Sequence, residues 1–155
     1  MAPTQDGKLV DADRTALAAA MDRLVPPVDD LPGAGSMGLA EQVEKRARRS
    51  PRLRSALVAV LDALSLDPGS HAAGGYSALD GERQDDALRT VESSMPDRFA
   101  AFLQLVYTVY YMESAVHERT GWHGRPPQPD GYEVPTFDES VLEQVQQREP
   151  FWRKV

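Results

Sequence analysis

Glu113 and His117 stand four residues apart, so on a helix they share a face and offer a carboxylate and an imidazole to one metal ion. A mononuclear centre needs three or four convergent ligands, and only His123 is near enough in sequence to fold back as a third. His71 is remote. Without further ligands the pattern reads as a helix-stabilising pair or a histidine packed among aromatics, and no metal ligand is assigned. Gly33-Ala34-Gly35-Ser36-Met37-Gly38 matches G-x-G-x-x-G, the turn that brings backbone N–H groups onto a pyrophosphate. That chemistry requires a buried strand before the turn. Pro26-Pro27-Val28-Asp29-Asp30-Leu31-Pro32 cannot form one, so the glycines are expected to shape a loop and open a helix, whose N-terminus can accept an anion.

Lys45-Arg46-Ala47-Arg48-Arg49, continued by Arg52 and Arg54, is the one basic run. It suits phosphates or an acidic partner, but in an acidic chain a solvated, locally paired face is expected. Arg125-Pro126-Pro127-Gln128-Pro129 contains P-x-x-P, and packing is expected there rather than SH3-type recognition. No nucleophile elbow or Ser/His/Asp order is legible. The carboxylates of Asp11, Asp13, Glu41, Glu44, Asp85 and Asp86 fall at caps and on polar helix faces, not in an evident pocket. No catalytic or cofactor-binding residue is assigned.

Composition narrows the classes further. The chain has 155 residues, 24 acidic against 17 basic, a formal charge of −7 and no cysteine. Disulfides, thiolate metal sites, iron–sulfur clusters and c-type haem attachment are excluded. The charge disfavours a nucleic-acid or anionic-membrane surface. The length suits one domain and is too short for a dinucleotide domain plus a substrate domain. Met1 to Arg14 holds no apolar run, so no secretory leader is legible. A cytoplasmic location is expected, with export only through a leader that was removed or that a partner carries. The most apolar stretch, Phe99 to Met112, is too short to span a membrane.

The elements that position these residues read as helices. The expectation is all-α: a compact bundle of five to six helices over 11–120, a flexible 1–10, and an ordered proline-rich strap with a short terminal helix over 121–155. Asp11 or Asp13 is expected to cap the first helix, with Leu17, Met21 and Leu24 inward and Pro26-Pro27 ending it. A second helix is expected from about Met37 to Arg49. Ser50-Pro51 opens a third, with Leu53, Leu57, Val60, Leu61 and Leu64 at helical spacing. Gly69 to Tyr76 is expected to be loose. Asp80 opens a fourth helix, and Ser94 and Pro96 open a fifth. The fifth is apolar on most sides through Phe99, Phe102, Leu103, Val106, Val109 and Tyr110, and a helix of that kind belongs at the bundle centre.

Gly121 to Pro135 carries four prolines and three glycines, so neither helix nor ladder strand fits it. Ten of the eleven aromatic residues lie from Phe99 onward, which marks the C-terminal half as the bulky packing or contact surface. Tyr111, Trp122, Tyr132, Phe137, Phe151 and Trp152 are the candidate partner-contact residues, since interface cores favour these types.

Several segments in order resemble the gluconate 2-dehydrogenase subunit 3 family. They are Leu24-Val25-Pro26 with Leu31-Pro32-Gly33-Ala34, the leucine-patterned third helix, and Phe99 to Leu105 leading into Val109-Tyr110-Tyr111. Gly121-Trp122 and Gly131-Tyr132 complete the set. The resemblance covers about 13–135. It implies a small helical subunit beside a large flavoprotein of the glucose–methanol–choline oxidoreductase type. FAD and the catalytic base are then expected on that partner, with no cofactor on this chain. The expected role is to bind, stabilise or mature the large sugar or sugar-acid dehydrogenase subunit. Members often carry a twin-arginine leader, and no twin-arginine pair is legible near the start of the sequence. Val109 stands where the family has a glycine before the tyrosine pair, and Glu113-Ser114 where it has Asp-Pro. The alternative is a free-standing helical module that binds a ligand or protein. A third reading is an enzyme using Glu113, His117 and a metal.

Overall fold

The structure is a computed structural model and describes residues 9–122, 131 and 136–148. The chain divides into two units, Met1–His123 and Gly124–Val155. The first holds seven α-helices among the described residues: α1 (Asp11–Leu24), α2 (Ala40–Ala47), α3 (Pro51–Leu66), α4 (Pro68–Ala73), α5 (Gly81–Ser94), α6 (Pro96–Tyr110) and α7 (Ser114–Thr120). The second holds a 3₁₀ turn, Glu139–Leu142, leading into α8 (Glu143–Gln146). The protein is an all-α bundle. Among the described residues the β-type pairing is the isolated Val28–Leu31 bridge, which closes a turn with Asp29 at φ +53°. No helix there is long and apolar enough to cross a membrane.

Local signals place most boundaries. The Ser50 hydroxyl accepts from Leu53 N–H at 3.5 Å, and Pro51 takes the first helical position of α3, where its missing N–H costs nothing. Asp80 caps α5 by accepting from Arg83 N–H at 2.9 Å. Leu57, Val60, Leu61 and Leu64 are buried, as are Leu17 and Met21 of α1 and Val43 and Ala47 of α2. The α2 and α3 faces meet on α6, which also packs against α5 and buries Phe99, Phe102, Leu105, Val106 and Val109, while α1 packs against α2, α3 and α5.

Five expectations are corrected. Asp11 and Asp13 do not cap α1. Val10 is the cap residue, and the two acids sit in the first turn, where they complement the helix dipole. Helix α2 begins at Ala40 rather than Met37, because 34–39 form turns ending at Gly38, φ +77°. Gly69 to Tyr76 is not loose. Asp67 accepts from Ser70 N–H at 2.8 Å and starts α4, and left-handed Gly74 ends it. Tyr76 then enters the core, its hydroxyl donating to the Gln84 carbonyl at 3.3 Å while Gln84 Nε2 donates to the Tyr76 carbonyl at 3.3 Å. Burial pushes its phenol pKa well above the ordinary range, and the nearby Asp85 charge adds to this. Ser94 belongs to α5, and Met95 precedes α6 without a side-chain cap. Glu44, expected on a polar face, is 3% exposed. It accepts from Leu9 N–H at 3.0 Å and Arg14 Nε at 3.1 Å, with Arg48 Nη1 at 3.7 Å. Three cationic or N–H donors compensate the desolvated carboxylate.

Arg23 of α1 grips Asp85 of α5 through two bonds of 2.7 and 2.6 Å, which tie the first helix to the fifth. The hydrogen bond from Arg23 holds the Asp85 carboxyl below its usual range. A depressed folded-state pKa adds stability above the unfolded value, near about 3.9, and that stability is lost as pH falls through the folded value. Asp85→Asn should therefore cost about 1 kcal/mol near neutrality, because the pair is partly exposed. Urea titrations should find the gap constant down to about pH 5 and closing below about pH 4. A gap that stays open at low pH would show that the loss is steric and not electrostatic.

Candidate functional site

The glycine-rich turn forms no anion site. Gly35 lies flat on α1, where a Cβ would stand 2.6 Å from the Ala18 carbonyl carbon and inside its oxygen. The Asp22 carboxylate fills the place an anion would take. It accepts from Ser36 N–H at 2.9 Å and from the Ser36 hydroxyl at 2.8 Å. The segment is thus a brace that seats 33–38 against α1, in keeping with glycines that shape a loop.

The Glu113 and His117 side chains are engaged elsewhere. Glu113 accepts from Gln42 Nε2 at 2.9 Å, which ties α2 to the start of α7. His117 Nε2 lies 2.6 Å from the Tyr111 carbonyl; a carbonyl can only accept, so Nε2 carries the hydrogen. The ring also meets Trp122 edge-on, centroids 4.2 Å apart at 74°. This is a histidine packed among aromatics. Among the described residues no three His, Cys, Asp or Glu side chains group to hold a metal; His123 lies outside them.

What the structure assembles instead is an aromatic corner at the α6–α7 junction. Helix α6 is not covered all round. Its outward side presents Ala100, Leu103, Gln104, Tyr107, Thr108 and Tyr111 along a shallow open groove with a mostly apolar floor. Tyr107 is 39% exposed, Tyr111 58%, and Met112 59%, values that leave large apolar area in water. Tyr111 packs edge-on against Tyr110 at 5.2 Å and tilted against Tyr107 at 6.3 Å, so the exposed ring is held in place. Helix α7 ends at left-handed Gly121, φ +72°, and the Trp122 N–H returns to the His117 carbonyl at 2.9 Å. Trp122, 48% exposed, is aimed by that cap and joined to Tyr111 through His117. Arg119 pairs with Asp29, and with Asp30 at 3.3 Å, anchoring α7 to the loop after α1.

Of the six expected contact residues, Tyr111 and Trp122 come together here. Phe137, 64% exposed, lies in the second unit with Val141 and Leu142, also exposed. There Asp138 accepts from Ser140 N–H at 3.0 Å to start the 3₁₀ turn. Tyr132, Phe151 and Trp152 lie outside the described residues, as do P-x-x-P and most of the expected strap. Leu103 and Tyr107 were not singled out as contacts, although their four-residue spacing with Tyr111 carried the signal. Beside the groove is a polar cleft lined by Arg46, Ser50, Arg52 and Leu53, which shares Gln104 and Thr108 with it. The basic run is mostly not locally paired. Arg48 meets Glu44, but Lys45, Arg46, Arg49, Arg52 and Arg54 make no ion pair among the described residues.

Among the described residues, exposed Tyr107, Tyr111 and Trp122 stand together at this corner, and interface cores favour such residue types. The chain belongs to the gluconate 2-dehydrogenase subunit 3 family, whose model matches residues 11–126. That match takes in α1 to α7 and the aromatic corner. No curated protein and no solved structure gives a significant match.

Proposed function

We propose that this chain is a non-catalytic small subunit that binds and stabilises, or helps mature, a large FAD-dependent dehydrogenase acting on sugars or sugar acids. The family name supports a subunit role. The observation that carries the binding role is the exposed aromatic corner of Tyr107, Tyr111 and Trp122 on an otherwise well-packed bundle. Tyr111, Trp122 and Phe137 are proposed contact residues, together with Tyr132, Phe151 and Trp152. FAD and the catalytic base belong to the partner on this reading. A subunit that binds only the folded flavoprotein stabilises it by mass action, about 2.7 kcal/mol at a hundredfold excess over Kd.

Co-expression tests this directly. A large flavoprotein dehydrogenase subunit from the same organism should gain soluble yield, bound FAD and dehydrogenase activity when this chain is present, and the two should co-purify. Equal yield and activity with and without this chain would end the subunit reading.

A further inference from the structure

Apart from Arg48, the basic run makes no ion pair among the described residues, and Arg46 and Arg52 lie beside the outer face of α6. Ala100, Leu103, Tyr107 and Tyr111 recur at three- and four-residue steps, the seam one helix offers another. From Ala100 to Tyr111 the seam runs about 16 Å, close to three helical turns. One rim is basic: Arg46 and Arg52 line the adjoining cleft, and neither makes an ion pair among the described residues. Among the described residues, Arg46 Nη1 donates to the Met112 sulfur at 3.5 Å. This rim stands out in a chain of net charge −7. A second copy laid face to face supplies no carboxylate from these positions, since the groove is lined by alanine, leucine, glutamine, threonine and tyrosines.

We infer that the α6 groove receives an amphipathic helix of the large flavoprotein subunit, its apolar stripe on Leu103, Tyr107 and Tyr111 and its carboxylates on Arg46 and Arg52. This rests on the proposed subunit role and names the chemistry of the partner segment. The apolar seam supplies burial, and the arginines fix register and direction.

The test measures affinity of a purified, FAD-loaded large flavoprotein dehydrogenase subunit from the same organism for four forms of this chain. They are wild type, Tyr107→Asp, the double variant Arg46→Glu/Arg52→Glu, and Leu66→Asp. Leu66 is 80% exposed. It lies at the far end of α3 from Arg52, about 21 Å along the helix, and serves as the control. Tyr107→Asp should weaken binding at least about tenfold, and the control should stay within about twofold. The arginine variant should weaken binding strongly at low salt and progressively less as salt is raised. Hydrogen exchange should show new protection in one helical, carboxylate-bearing segment of the flavoprotein.

Wild type that binds with both face variants unchanged overturns the groove but leaves the subunit role standing. Wild type that does not bind ends both. An effect of Tyr107→Asp without any effect of the arginine change overturns the acidic character of the occupant, and protection of a non-helical segment overturns its helical form. A wild-type dimer that Tyr107→Asp dissolves would assign the groove to a second copy. A lowered melting temperature of the isolated Tyr107→Asp chain would mean that the face is already covered within the chain.

Discussion

Gly35→Ala should lower the unfolding free energy by about 3 kcal/mol and the melting temperature by roughly 10 °C. The added Cβ would fall inside the Ala18 carbonyl oxygen, and that obstacle is backbone in the middle of α1. A flexible side chain could swing aside, but a helical carbonyl cannot without breaking its own ladder bond. The loop would have to lift, and Ser36 would leave Asp22 as it did so. Gly38→Ala is the matched comparison. Its φ of +77° disfavours a side chain, but nothing lies within 4 Å of the new atom. Its cost should be about 1 kcal/mol, the ordinary price of a left-handed alanine. Denaturation of both variants, followed by circular dichroism, separates crowding from backbone strain. Equal losses would show that the loop rises off α1 freely and that the close approach of Gly35 has no structural weight.

The same pair of glycines shows what was legible beforehand. A G-x-G-x-x-G segment without a preceding strand reads as a loop former, and the structure agrees. Which glycine bears the load could not be read, because Ala18 and Asp22 are brought against the turn by the return of the chain, and no local rule covers that meeting. Helices α3 and α5 were legible down to their N-terminal caps, since Ser50, Pro51 and Asp80 act within three residues of themselves. Tyr76 was not: it follows two glycines at φ +86° and +141° that look like slack chain, and only its place beside Gln84 explains its burial. Glu44 was misjudged for the same reason, as its donors Arg14 and Leu9 lie 30 and 35 residues away.

Helix α6 was legible as an element but not as a surface. Apolar periodicity reports that a position prefers to leave water; it does not report what covers that position. Residues facing the core and residues facing another chain therefore look alike in a sequence. Phe102 and Tyr107 are five residues apart in one apolar helix, and the first is fully buried while the second is 39% exposed. Charge carries the missing information here. The core side of α6 meets the leucines of α3, whereas its outer side borders Arg46 and Arg52, which make no ion pair among the described residues and would be an unfavourable boundary for a face destined for the core.

Phe102→Ala and Tyr107→Ala should consequently have opposite signatures. Phe102 is 0% exposed and packs against Phe99 at 6.2 Å, at the meeting of α6 with the helices around it. Its truncation leaves a cavity that rigid neighbouring helices cannot fill, and the loss should be about 4 kcal/mol. Tyr107→Ala removes a ring that is 39% exposed at the edge of the bundle, so the isolated chain should lose less than about 1 kcal/mol. In the complex the order reverses. Phe102→Ala lowers apparent affinity only through the fraction of folded chain, so it should recover at lower temperature or at saturating flavoprotein. Tyr107→Ala removes the contact itself and should bind weakly at every temperature where the chain is folded. Melting curves of each variant, alone and with the flavoprotein, distinguish the two. If Tyr107→Ala melts several degrees early in the absence of partner, α6 would have no free face, and the aromatic corner would be part of the bundle's own packing.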